Sequence, residues 1–144
     1  RSYAFGPATS GDTQQATEIL LRMPASNPTI HSYNRRLAAA VLFAAGRESD
    51  GLRIVAESAP IDSVVASAMT IELLLGTVRS YRDEDVLRAF QVPGEPATVY
   101  RYFMRWFREN GFPGEAMEFA RKLQVSSPGD LESAEFLRSR GVKF

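Results

Sequence analysis

From Asp12 onward the chain alternates between stretches whose apolar residues share one helical face and short breaks rich in glycine, serine and proline. Ala16, Ile19, Leu20 and Met23 stand at i, i+3, i+4 and i+7, which predicts an amphipathic helix over 12–23. Asp12 or Thr13 caps its start, with Gln15 in capping-box position, and Pro24 ends it. Residues 32–45 begin polar and finish wholly apolar, with five alanines in the last eight positions that let neighbouring backbones approach closely. Gly46 then turns the chain, because a residue without Cβ enters positive φ freely, and a partner helix over 50–58 presents Leu52, Ile54 and Val55.

Asp62 caps a third helix, 63–78, whose stripe runs from Val65 or Ala66 through Met69, Leu73 and Leu74, with Gly76 weakening its end. Asp83, Glu84 and Asp85 open the next helix at the end where its dipole favours acids, and Val86, Leu87, Ala89 and Phe90 form its buried side. Further on, Val99, Phe103, Trp106 and Phe107 are expected in the core, and Asn110-Gly111 makes a turn. Pro113 starts the following helix, whose inner face is Ala116, Phe119, Ala120 and Leu123. A last helix over 130–139 runs from acids to bases and is read as a terminal cap.

These elements recur. The turn anchors Gly11, Gly46, Ser80 and Gly111 are 35, 34 and 31 residues apart, and the closing prolines Pro24, Pro60, Pro93 and Pro128 are 36, 33 and 35 apart. A period of about 34 residues is the mark of stacked helical hairpins, since one hairpin cannot bury its own apolar face. The predicted fold is therefore all-α: a right-handed solenoid of stacked antiparallel helical hairpins, about 3.5 repeats. An irregular arm (1–10) precedes a single repeat domain over 11–144, with units at about 11–30, 31–60, 61–93 and 94–128 and a capping helix at 129–144.

Seventeen basic residues balance seventeen acidic ones, so no global field draws the chain to nucleic acid or acidic lipid. With no cysteine, disulfide staples, thiolate metal sites and cysteine nucleophiles are all excluded. The longest apolar run, 37–45, is nine residues against the roughly 20 that span a bilayer, so no membrane insertion is expected. The opening Arg1-Ser2-Tyr3-Ala4, with no acid before Asp12, resembles a mitochondrial presequence cleavage site, and an arbitrary boundary is the alternative.

Thr98-Val99-Tyr100, the eleven residues ending in Gly111, and then Pro113, Glu115, Ala116, Met117 and Glu118 follow the cadence of a pentatricopeptide repeat, a relative of the tetratricopeptide repeat. Gly11-Asp12 through Leu20, and Tyr33-Asn34 through Gly46, fit it less closely, and the resemblance covers roughly 11–128. That resemblance implies organellar RNA binding at one nucleotide per repeat. The base-reading position, nine residues before the turn glycine, is occupied by Leu37, Ile71 and Tyr102, where the family carries small polar groups. Its companion falls near Ser32, Ala66 and Ala97, of which Ser32 alone has a side chain able to hydrogen-bond a base. The scaffold is kept and the reading heads are lost.

Arg101, Arg105 and Arg108 lie at i, i+4 and i+7 with Tyr102 beside them, a stripe suited to phosphates and a stacked base. The alternative is a solvated face paired to acids on a neighbouring helix. Arg35 and Arg36 in the equivalent helix of an earlier unit extend the candidate contact surface. His31, the sole histidine, reads as a capping or surface residue, and Asp83-Glu84-Asp85 lacks the spacing of a calcium loop. No phosphate loop, nucleophile elbow or zinc motif occurs, so neither catalytic residues nor a cofactor or metal is expected. The expected function is a non-catalytic scaffold or adaptor for protein partners, a subunit or assembly factor of a larger organellar, mitochondrial complex. The alternatives are an RNA-binding pentatricopeptide protein associated with the mitochondrial ribosome, and a bacterial tetratricopeptide-like adaptor holding a partner's peptide.

Overall fold

A computed structural model describes residues 17–19, 21, 28–76 and 79–142. Every regular element among them is helical: α1 (Pro28–Ala44), α2 (Glu48–Glu57), α3 (Ser63–Leu75), α4 (Asp83–Ala89), α5 (Pro96–Glu109), α6 (Pro113–Ser126) and α7 (Leu131–Ser139). The all-α expectation is met. Of the helix expected over 12–23, residues 17–19 and 21 are described and helical. Its caps, Gly11, Pro24, the arm 1–10 and the presequence-like opening lie outside the described residues. The chain divides into two compact units, Arg1–Pro93 and Gly94–Phe144.

In the first unit α1 is central, packing against α2 and α4, while α3 joins through α4. Every residue from Leu37 to Phe43 is buried, as a helix apolar on all sides must be. Gly46 takes φ +79°, and the Arg47 N–H reaches back to the Leu42 carbonyl at 2.9 Å, closing a Schellman turn immediately before α2. Close approach of α2 depends on Gly51, where a Cβ would stand 2.5 Å from the Phe43 ring. The Arg88 guanidinium of α4 lies 4.1 Å over that ring's centroid and pairs with Glu48. Ile54 and Val55 are buried as expected, whereas Leu52 is 52% exposed, because Gly51 and not Leu52 faces α1.

The third expected unit departs furthest from the pattern. Asp62 does cap α3, accepting from the Val64 and Val65 N–H groups at 3.0 and 3.4 Å. The helix ends at Leu75, with Gly76 extended, and only Thr70, Leu73 and Leu74 are buried along it. Val65 is exposed and Val64 is 75% exposed, so the expected stripe meets a neighbour only in the second half of α3. Ser80 sits in a bend without positive φ and is not a helix-terminating anchor. That conformation falls instead on Gln91, at φ 55°, where the Val92 N–H bonds the Leu87 carbonyl at 2.8 Å and ends α4.

In the second unit α5 and α6 form a hairpin joined by residues 110–112, with α7 packed on α6. Gly111 takes φ +82°, the Phe112 N–H bonds the Phe107 carbonyl at 2.8 Å, and the two rings meet edge to face at 6.1 Å. The core centres on Phe119, fully buried, whose ring lies 5.2 Å from Phe103, 5.9 Å from Phe107 and 6.3 Å from Tyr100 between centroids. Ala116, Ala120 and Leu123 complete the α6 face as expected.

Candidate interaction surface

The arginine stripe of α5 is held by the start of α7. Asp130 caps that helix, accepting from the Ser133 N–H at 2.8 Å and its hydroxyl at 2.7 Å, and receives Arg101 at 2.7 Å. Glu132, in the first turn, takes Arg105 in a two-nitrogen fork, with Nη2–Oε1 at 2.7 Å and Nε–Oε2 at 2.9 Å, and Arg108 at 3.1 Å. The i, i+4, i+7 spacing on α5 thus matches acids at positions 130 and 132. All three predicted cations are paired within their own unit.

The pairing leaves its mark on the carboxylates. Partial burial opposes ionisation of Asp130, but the Ser133 hydroxyl and N–H and then Arg101 outweigh it and hold its pKa down at about 2. Arg105 first, then Arg108, hold Glu132 below the usual carboxylate range against partial burial. A carboxyl whose folded pKa is depressed stabilises fully above its unfolded value, near 4, and loses that contribution as pH falls through about 2. Asp130 is expected to supply about 1 kcal/mol in this way once solvent screening is allowed for. Thermal melts of the full chain from pH 5 to 2, read by tryptophan fluorescence, check it. Asp130→Asn should lower the neutral-pH midpoint and flatten the acid limb, and an unchanged acid limb would refute the assignment.

Trp106 is the main surprise of α5. It was expected in the core and is 45% exposed, and Tyr102, one turn earlier, is 63% exposed. The reason is rotational. The buried residues are Val99, Tyr100, Phe103 and Met104, with Phe107 half-buried, so the inner stripe lies about a quarter-turn from Trp106. Tyr102 and Trp106 instead form an outward pair, edge to face with Phe103 and Phe107 behind them.

Arg35 and Arg36 do not form a common surface. Arg35 pairs with Glu57 at 3.3 Å. Arg36 is only 4% exposed and turns inward. Its Nη1 donates to the Ala89 carbonyl at 2.9 Å and to Gln91 Oε1 at 3.2 Å, its Nη2 to the Ala59 carbonyl at 3.3 Å, and its Nε to the Ser32 hydroxyl at 3.3 Å. The Ala89 carbonyl belongs to the last residue of α4, where the helix dipole favours a cation.

The positions that base reading would use are put to other work. Leu37 is fully buried, Ile71 half-buried and Tyr102 exposed. Ser32 is buried and donates its hydroxyl to the Ala59 carbonyl at 2.6 Å, while Ala66 and Ala97 are half-buried. His31 is exposed in the first turn of α1. Asp83 and Asp85 serve the start of α4, Asp83 pairing with Arg79 and Asp85 accepting from the Arg82 N–H at 2.8 Å. Among the described residues no group of three or more histidines and acids is placed to hold a metal ion, and no helix is long and apolar enough to cross a membrane. No family model, curated protein or solved structure matches this chain.

Proposed function

We propose that this chain is a non-catalytic helical-repeat scaffold whose hairpins stack as a right-handed solenoid. It holds a partner protein within a larger assembly through the Tyr102–Trp106 face of α5. The observation that carries the reading is that pair of large aromatics, one turn apart and exposed, bordered by Arg105 in a rigid fork with Glu132. Tryptophan, tyrosine and arginine are the residues in which interface binding energy concentrates. Side chains already held in place lose little freedom on docking, so their contact area converts more fully into affinity. The glycine turns at Gly46 and Gly111, 65 residues apart and alike in backbone geometry, support the hairpin-repeat part of the reading.

An RNA interface gains less from the same residues, because a phosphate would have to displace Asp130 and Glu132 from the three arginines. The test is co-purification of the tagged full chain from its native source, beside a Tyr102→Ala/Trp106→Ala variant shown by circular dichroism to keep its helicity. Each truncation is expected to cost about 2 kcal/mol of binding, so the double variant should lose its partner. Retention of the same partner by that variant would overturn the proposal. So would saturable binding of single-stranded RNA that weakens steeply with salt and fails in Arg105→Glu.

A further inference from the structure

Arg36 also forms part of the wall of a cleft. The cleft, about 330 Å³, opens between α1, the start of α3 and the segment that follows α4. A guanidinium has five N–H donors, and the four hydrogen bonds described above leave one on Nη2 without an acceptor among the described residues. Among the described residues no carboxylate lies within ion-pair distance of it. Burial alone pushes its pKa down, with no opposing charge to raise it. A cation nine-tenths buried with only neutral partners is an incomplete electrostatic arrangement.

The other polar side chains of the cleft can each donate as well. Ser63 and Ser67 stand four residues apart on one face of α3, and both line the cleft without hydrogen-bond partners among the described residues. Gln91, held at positive φ, turns its Oε1 to Arg36 and so leaves its amide N–H groups as donors. Among the described residues no acid lines the cleft, and the adjacent Asp62 is engaged by the Val64 and Val65 N–H groups. The remaining wall is apolar, including Ile61, Ala66 and Phe90.

We propose that this cleft binds a singly charged carboxylate carried on an apolar stem. The carboxylate, an acceptor on both oxygens, meets the free Arg36 donor and the two serine hydroxyls, and the stem lies on Ile61, Ala66 and Phe90. A phosphate dianion fits less well, because Arg36 is the sole cation among the described residues of the lining. The volume lies at the small end of ligand pockets, room for one acid of a few carbons or the last residues of a polypeptide.

The experiment is a titration of the ¹⁵N-labelled full chain at constant ionic strength. The probes are hexanoate, acetyl-Leu-Val-Leu with a free C-terminus, and the amides of both, followed at the Ser63 and Ser67 amides and the Arg36 Nε–H. Saturable shifts with a dissociation constant of about 1 mM or tighter are expected from at least one acid and from neither amide. Tighter binding of hexanoate identifies a free acid as the ligand type, and tighter binding of the peptide identifies a chain terminus. Because Arg36 braces the fold, the site is tested instead with Ser63→Ala/Ser67→Ala, expected to weaken binding about tenfold, and with Ala66→Leu, expected to abolish it. Absence of saturable shifts, equal shifts from the amides, or unchanged affinity in the double serine variant would overturn the inference. The Tyr102–Trp106 proposal stands or falls separately, since no residue is shared.

Discussion

Truncation of Phe119 to alanine should unfold most of the second unit's stability, costing about 4 kcal/mol. Its ring is fully buried and meets three other aromatic rings within 6.3 Å, so both the transfer of a phenyl group to water and the loss of ring contacts count against the variant. The three neighbours sit on α5 and cannot follow a shortened side chain on α6 without shifting the whole helix, so the space closes incompletely. Phe119→Leu, which keeps most of the volume, should cost less than half as much. The chain holds a single tryptophan, Trp106, within this unit, so fluorescence under urea reports on it directly. A loss below about 1 kcal/mol for Phe119→Ala would show that the aromatic cluster is not the unit's core.

Replacing Arg36 by alanine should destabilise the first unit by about 3 kcal/mol, by removing hydrogen bonds from one charged group to Ser32, Ala59, Ala89 and Gln91. Those four residues belong to α1, the segment after α2, the end of α4 and the turn beyond it, so one side chain ties three elements together. Arg36→Lys should recover less than half of the loss, because an ammonium on a flexible stem cannot serve carbonyls on both sides of a planar fork. Hydrogen exchange at the buried amides of α1 measures the effect, with the Trp106 signal as an internal control for the second unit. If Arg36→Lys proved as stable as the native chain, the planar fork would not be what braces these elements.

Much of the secondary structure was legible because its determinants are local. Asp62 was readable as a cap, since a cap needs only a carboxylate placed before a run of N–H groups, whereas Asp130 was readable only as an acid at a helix start. Gly46 and Gly111 were readable as turns because a left-handed residue at a helix end favours glycine. Gln91 leaves no such trace, as a non-glycine residue in that conformation is not marked in sequence, and the period alone points to Ser80. The role of Gly51 had a visible signal, a glycine inside a helical pattern, which marks a close approach of another element.

The candidate surface was less legible. Arg101, Arg105 and Arg108 were found by their spacing, but the same spacing serves phosphates and carboxylates equally. Asp130 and Glu132, 24 to 29 residues beyond their partners, decide between them by lying opposite. Arg35 and Arg36 are neighbours in sequence, and on a helix adjacent residues point about 100° apart. One therefore reaches Glu57 at the surface while the other turns into the interior.

By itself, then, the sequence determined an all-helical chain, where most helices start and stop, and which residues form the inner faces of α4 and α6. Period, capping and dipole chemistry act within one or two turns, so they survive without knowledge of the neighbours. Tertiary structure alone decided that Trp106 faces out, that Arg36 faces in, and that three arginines of α5 are neutralised by α7. Each of these depends on the direction from which another element approaches a helix, and a helical pattern specifies a face only to within about a quarter-turn.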